Sequence, residues 1–230
     1  MILRALVSLA VLTVAATGAA AADAGVTPAG FSLAQWQPQA GDVIRFDVLR
    51  EGKPFGSHSV AFDTGADGGL TARTEVSLRA GLGPVTLFRY KLDATETWLD
   101  GKLVDVRGEV VQDGDKRAVT AKRDGAALRV KGSDFSGVAP KDIIPASHWN
   151  FAQTQADKLL STEDGEILDV KIARTGRETI KAAGQSIEAT RYRLDSAIDV
   201  DLWYDDQGRW VKLAFETRGQ DIEYVLAEMY

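Results

Sequence analysis

The stretch LTARTEVSL, residues 70–78, alternates apolar and polar side chains, and this pattern decides the fold class. Leu70, Val76 and Leu78 share one face, whereas Arg73 and Glu75 lie on the other. Successive side chains of a β-strand point to opposite sides of the sheet, so this alternation predicts a strand with one buried face.

The same period of two recurs from Asp42 onward. It predicts further strands at 44–48, 88–98, 102–112, 116–123, 126–131, 166–173, 186–195, 198–204, 209–217 and 220–227. The connections are short and rich in Gly or Asp, namely Glu51-Gly52-Lys53, Asp100-Gly101, Asp113-Gly114-Asp115, Asp124-Gly125, Thr175-Gly176 and Asp206-Gln207-Gly208. Such turns join neighbouring strands in antiparallel order. Because a sheet of about a dozen strands must curl or close to protect its edges, we predict an all-β fold, an antiparallel meander forming a closed or strongly curved half-open β-barrel.

One segment, at about 140–162, loses the alternation and contains helix-forming residues. We expect a short helical insertion that covers the mouth of the barrel. Pro145 would mark the entry to the helix, and Ser147 or a nearby residue would cap its first turn. Trp149 would then anchor the helix against the sheet, with His148 pointing toward the rim.

The N-terminus has the features of an export signal. Arg4 precedes a largely apolar run and then small residues, which is typical of a cleaved secretory signal peptide over residues 1–22. We expect a flexible leader at 23–41 and a single β-barrel-like domain at 42–230, located in the periplasm. The sequence contains no cysteine, so it offers neither a lipoprotein anchor nor a disulfide framework.

The charge balance restricts the partners. The chain carries 27 basic and 33 acidic side chains, and its basic residues form no block in the sequence. This composition argues against nucleic acid or an anionic membrane surface as an electrostatic partner, since either would favour a clustered basic face, and we expect no stable membrane anchor. The apolar face of Ile222, Tyr224 and Leu226 keeps a small outer-membrane β-barrel as an alternative, although Glu228 shares that face.

Signals for catalysis or cofactor binding are weak. His58 and His148 are the only histidines, and no spacing of metal ligands is present, so we expect neither a metal nor another cofactor. His58 lies in a predicted strand, where we expect it to be solvated. Asp199 and Asp201 would share one strand face at a separation that fits an inverting glycosidase. We instead expect a solvated outer face, because nothing in the sequence supplies the apolar environment that would raise the pKa of one carboxyl.

Two stretches carry a resemblance to a known family. They are PASHWN at 145–150 and DLWYDDQGRWVKLAF at 201–215, supported by FDVLREGKPFGSHSVAF at 46–62 and ETWLDGKLV at 96–104. With these the chain resembles an exported bacterial family catalogued as domain of unknown function 6134. The resemblance implies an exported single β domain and assigns no catalytic residue. A looser likeness, to the curved half-barrels of periplasmic lipoprotein carriers, rests on the meander, the insertion and export.

Two functions remain open from the sequence. A non-enzymatic binding or carrier module would enclose an apolar small molecule or lipid, with ligand-binding candidates His148, Trp149, Asn150, Phe88 and Trp98. The interior aromatic and aliphatic residues would equally serve as an ordinary packed core. The alternative is a periplasmic hydrolase that uses His148 with Asn150 or an acidic partner. The absence of a nucleophile motif favours binding over catalysis.

Overall fold

The computed structural model describes residues 36–82 and 85–228, and the predicted signal peptide and most of the leader lie outside this range. The described chain is almost entirely β, which confirms the predicted fold class. Its strands are β1 (Val43–Arg50), β2 (Lys53–Thr64), β3 (Leu70–Leu82), β4 (Val85–Leu99), β5 (Lys102–Gln112), β6 (Asp115–Asp124), β7 (Ala127–Gly132), β8 (Ser136–Val138), β9 (Ile144–Pro145), β10 (Lys158–Leu160), β11 (Ile167–Asp169), β12 (Lys171–Ala182), β13 (Gln185–Asp195), β14 (Val200–Asp205), β15 (Trp210–Thr217) and β16 (Gln220–Glu228). Within the described ranges, no helix is long and apolar enough to cross a membrane.

Thirteen strands form one antiparallel sheet. Their order is β12-β13-β14-β15-β16-β1-β2-β3-β4-β5-β6-β7-β8. The last strand in the chain, β16, therefore pairs with the first, β1, whereas the two edge strands, β12 and β8, do not pair with each other. The sheet is therefore a curved, half-open barrel. A second, three-stranded sheet, β11-β10-β9, comes from the inserted segment and includes a parallel pair.

The turns explain the simple strand order. Asp100-Gly101 and Asp113-Gly114 both have positive φ at their two central residues, as two-residue hairpins with right-handed strand twist require. Thr175-Gly176, which the sequence predicts to be a turn, is instead a register shift inside β12, and the chain reverses at Ala183-Gly184. That prediction was wrong because a glycine within a strand marks a bulge as readily as a turn.

The predicted helical insertion contains one turn of 3-10 helix, at Phe151–Gln155. After β10 the chain enters the concave side of the sheet, where the five residues Ser161 to Gly165 are all buried. We call residues 161–165 the plug. Two glycines make room for it: a Cβ on Gly108 would lie 1.8 Å from the Thr162 carbonyl oxygen, and one on Gly132 would lie 2.1 Å from that of Asp164.

The interior holds two apolar clusters. The larger one contains Phe46, Trp210 and Tyr224 and lies between the N-terminal and C-terminal strands. The smaller one contains Val106 and Val119 and lies under β5 to β8. The inserted segment contributes to both clusters, so it fills the half-barrel from inside.

Candidate functional site

The Ser-His-Trp-Asn stretch connects β9 to the 3-10 turn by way of a sharp backbone bend. His148 has φ 68°, in the left-handed region that favours glycine. Asn150 caps the following turn, because its side-chain oxygen accepts a 3.0 Å hydrogen bond from the Ala152 amide. The expected cap therefore exists, on a residue near Ser147. A left-handed non-glycine residue is strained and persists only where its surroundings hold it.

A buried hydrogen-bond network holds His148 in this conformation. Its carbonyl oxygen accepts bonds from the Tyr204 hydroxyl at 2.8 Å and from the Gln153 amide nitrogen at 3.2 Å. The Gln153 amide nitrogen also donates to the Tyr204 hydroxyl. Gln153 Oε1 lies 3.2 Å from His148 Nδ1, and because an amide oxygen only accepts, Nδ1 must carry the hydrogen. His148 Nε2 is then an acceptor.

Both histidines line an interior cavity. The cavity measures about 70 Å³, and most of its wall is aliphatic or aromatic, including Val76, Leu92, Leu159, Val200, Leu213 and Phe215. His58 and His148 both contact the Trp210 ring edge to face, with ring centroids 5.2 and 5.5 Å from it. The expectation that His148 points toward the rim is therefore wrong, since its ring faces the interior.

The expectation that His58 is solvated is also wrong, because the side chain is only 5% exposed. His58 is two residues from Val60 and four from Phe62, so all three face the core. Neither ring nitrogen of His58 has a hydrogen-bond partner among the described residues. An unpaired buried polar group costs about 1–3 kcal/mol.

Burial keeps both imidazoles neutral. It lowers the pKa of His58 to about 3, with a further lowering from the nearby His148. It also lowers the pKa of His148 to about 4, against the opposing effect of the Gln153 hydrogen bond. At neutral pH the two histidines therefore present uncharged donors and acceptors to the cavity.

A second buried polar site surrounds Glu96, next to Trp149. Glu96 of β4 is only 1% exposed and accepts a 3.2 Å bond from the Trp98 indole nitrogen. Ser147 and Trp149 direct their polar groups toward the same carboxyl, although neither completes a hydrogen bond of good geometry. Burial raises the pKa of Glu96 to about 7, and the groups of Ser147, Trp98 and Trp149 reduce that rise.

The plug carries two further buried acids, and both pair with the same cation. Arg117 of β6 pairs with Glu163 at 3.0 Å and with Asp164 at 3.1 Å. The Tyr90 hydroxyl donates a 2.8 Å bond to Glu163, which also borders the cavity. Burial acts to raise the pKa of Asp164, but hydrogen bonds from Ser161 and the Glu166 amide, with the Arg117 charge, hold it below its usual value.

The family model described as Domain of unknown function (DUF6134) matches residues 46–227. The chain belongs to the DUF6134 family. No curated protein matches the sequence. Among solved structures, a crystal structure of a beta-barrel-like protein of domain of unknown function DUF1849 from Brucella abortus is similar, with a TM-score of 0.55 and 11% identity. The match covers 80% of this chain and 94% of that chain, and at such low identity it shows a shared fold alone.

The five candidate ligand-binding residues of this DUF6134 protein do not form one site. His148 lines the cavity, and Asn150 caps the 3-10 turn. Trp149 and Trp98 meet edge to face at 5.9 Å, beside Glu96. Phe88 stacks on Phe55 at 5.7 Å and is not part of the cavity wall.

Asp199, just before β14, and Asp201, on β14, both form ion pairs. Arg193 bonds Asp199 at 2.7 Å and Asp201 at 3.0 Å, and Arg191 also bonds Asp201. Asp199 is exposed, as the sequence predicts, whereas Asp201 is buried in contrast to the expected solvated face.

The sequence did not indicate several of the polar residues that the fold buries, among them His58, Glu96 and Gln153. The alternation of the strands could have revealed His58 and Glu96, because residues two positions apart point to the same face of a sheet. His58 shares its face with the apolar Val60, and Glu96 shares its face with Ala94. No such signal marks Gln153, whose position depends on the inserted segment.

Proposed function

We propose that this DUF6134 protein is an exported periplasmic binding module that holds a small, uncharged, mostly apolar ligand in its interior cavity. Export rests on the N-terminal sequence. The observation that carries the binding role is His58, a buried imidazole in the cavity wall whose two nitrogens lack partners among the described residues. A ligand hydroxyl or carbonyl would satisfy such a group and remove its desolvation cost.

The charge of the cavity selects the ligand class. His58 and His148 are neutral, and Glu163 already accepts bonds from Tyr90 and Arg117. A charged ligand would lose its hydration without gaining a counter-charge, which costs much more than burying an alcohol or ester group.

The volume of the cavity limits the size of the ligand. Its volume of about 70 Å³ is below the roughly 300–1,000 Å³ of pockets for drug-sized ligands. It therefore suits a small molecule or the end of an apolar chain. A lipid carrier, the larger role expected from the sequence, would require the inserted segment to move outward.

The hydrolase alternative receives no specific support. The ring partner of His148 is the amide of Gln153, and no carboxylate bonds its ring within the described parts of the chain. An amide partner orients a histidine, but it stabilises the imidazolium less than a carboxylate does.

The test uses two probes of equal chain length, butan-1-ol and butyrate. Nuclear magnetic resonance titration at about pH 7.5, where butyrate is charged, should show butan-1-ol shifting resonances of cavity residues while butyrate does not. Equal binding of the two probes, or binding of neither, would contradict the proposal. Native mass spectrometry of the protein from its own cells would then identify the natural ligand.

A pair of valine variants locates the binding. Val76→Phe adds a ring to the cavity wall and should abolish the butan-1-ol shifts. Val110→Phe introduces the same ring at a buried position that does not line this cavity, so binding should survive there. If both variants bind equally well, the ligand lies elsewhere.

A further inference from the structure

One end of the half-barrel combines exposed apolar and basic side chains. Leu87, near the start of β4, is 70% exposed. The register places Phe88 opposite Ala80 and Thr86 opposite Gly81, so Leu87 is the extra residue of a bulge. A bulge at a barrel rim re-aims a side chain, and here the re-aimed side chain is a leucine in solvent.

Four basic residues surround this leucine in the fold. Arg79 and Arg89 lie directly opposite each other on β3 and β4, an arrangement that repels. Arg50 and Lys53 flank the adjacent β1–β2 turn and line one cleft with Arg79. Across residues 36–82 and 85–228, none of the four side chains has an ion pair. We call Leu87 with these four residues the basic rim.

Two acidic groups lie near the basic rim, and neither forms an ion pair with it among the described residues, although Glu51 lines the same cleft. The Glu51 carboxylate accepts a bond from the backbone amide of Asp221. The Asp113 carboxylate likewise accepts from the backbone amide of Arg89, at 2.7 Å, and leaves the guanidinium unpaired. Both acids lie in turns of the barrel, and each carboxylate hydrogen-bonds a backbone amide.

An aromatic pair lies beneath the basic rim. Phe55 and Phe88 stack at 5.7 Å, and the Arg50 guanidinium lies 5.2 Å from the centre of the Phe55 ring. The end of the barrel is therefore apolar inside and cationic outside.

We propose that the basic rim docks this end of the protein on an anionic lipid bilayer. Headgroup phosphates supply the counter-charges that Arg79 and Arg89 lack, and the acyl boundary receives Leu87. A free phosphate would satisfy the arginines but leave Leu87 in water, which is why the combination favours a membrane surface.

The negative charge of the whole chain does not oppose this docking. Charges separated by more than about 8–10 Å are largely screened at physiological salt, so the local patch governs the contact. The four basic residues are spread over residues 50–89, and only the pairing of β1 to β4 brings them together. A linear search for basic blocks therefore misses them.

Vesicle co-sedimentation of the full chain tests the docking. Binding is compared between vesicles of equal parts phosphatidylglycerol and phosphatidylethanolamine and vesicles of phosphatidylcholine. The anionic vesicles should bind the protein more tightly, and about 1 M salt, where the screening length is about 3 Å, should abolish the difference. Equal binding to both vesicle types overturns the proposal.

Matched variants test the basic rim itself. Each basic residue near an anionic surface contributes roughly a fivefold factor, so Arg79→Glu with Arg89→Glu should lower the partition coefficient by about 25-fold or more. The control is Arg73→Glu with Lys122→Glu, which changes the net charge by the same amount at two exposed positions away from the rim. It should lower the partition coefficient by less than about a fifth of the factor expected for the rim variant. Equal losses in the two double variants would show a non-specific charge effect and overturn the proposal.

The contribution of Leu87 separates a bilayer from a soluble phosphate. Leu87→Asn should weaken binding to anionic vesicles, whereas Leu99→Asn, at the other end of the same strand, should not. If Leu87→Asn leaves vesicle binding unchanged, the rim binds phosphate without docking on the membrane, and the proposal fails. Circular dichroism of each variant confirms that it is folded.

Discussion

Glu96 and the plug acids Glu163 and Asp164 are all carboxyl groups buried inside the same half-barrel, yet their surroundings differ. The plug acids share the guanidinium of Arg117. Glu96 has tryptophan and serine groups around it and no cation among its partners. As a result the pKa of Asp164 lies below its usual value, while that of Glu96 rises to about 7.

Two parts of the inserted segment are therefore attached to the sheet in different ways. The plug is held by an ion-pair cluster, in which hydrogen bonds and the Arg117 charge keep the pKa of Asp164 below its usual value. The Ser147–Trp149 stretch is held against a carboxyl that exchanges its proton near neutral pH. Burial alone therefore does not determine how a carboxyl behaves, because the hydrogen bonds and charges that face it also shift its pKa.

Removing the cation should have the largest effect. We expect Arg117→Met to lower the free energy of unfolding at pH 7 by about 3–5 kcal/mol, because two buried carboxylates lose their counter-charge. Urea denaturation measures the loss. Arg129→Met removes an exposed pair with Asp124 and should cost at most about 1 kcal/mol. Similar losses in both variants would mean that the plug does not depend on charge.

Replacing Glu96 by a neutral residue should raise the free energy of unfolding, whereas Arg117→Met should lower it. Its folded pKa lies above its unfolded value, so the wild-type protein loses stability as the pH rises from about 4.5 to about 7. Glu96→Gln should therefore be more stable than wild type by up to about 3 kcal/mol above pH 7 and nearly equal to it below pH 4.5.

Thermal and urea unfolding across this pH range measure the difference. The exposed Glu109→Gln is the control and should show no such pH dependence. A constant difference between wild type and Glu96→Gln at every pH would contradict the raised pKa.

His58 provides a smaller test in the acidic range. Its folded pKa of about 3 lies below the unfolded value of 6.5, so its contribution to stability is lost as the pH falls below 6.5. Between pH 7.5 and pH 5 the loss should be about 2 kcal/mol. His58→Leu should remove that part of the acid sensitivity and leave the part due to His148. Parallel pH profiles for the two proteins would show that His58 titrates normally.

The cap of the 3-10 turn should have the smallest effect. Asn150→Ala removes the bond to the Ala152 amide and should cost about 1 kcal/mol. Gln155→Ala, an exposed position at the end of the same turn, should stay within about 0.5 kcal/mol of wild type. If Asn150→Ala is equally neutral, the Ser-His-Trp-Asn bend is held by the His148 and Gln153 network alone.

The strands were largely predictable because their signal is local. β5 matches its predicted range of 102–112, and the hairpins at Asp100-Gly101 and Asp113-Gly114 lie where the sequence places them. The candidate site was predictable only in part. His148 borders the cavity as a ligand-binding residue would, but Phe88 stacks on Phe55 away from it. Which residues meet across an interior depends on the curvature of the sheet, and no local pattern encodes that curvature.

By itself the sequence determined an all-β meander, its strand order and the one segment that departs from it, because alternation and Gly-containing turns act over a few residues. Only the tertiary structure decided that this segment enters the half-barrel, that Gly108 and Gly132 admit the plug, and that the basic rim exists. These features join residues far apart in the chain. They follow from strand register and close backbone contact, which are fixed when the whole sheet forms.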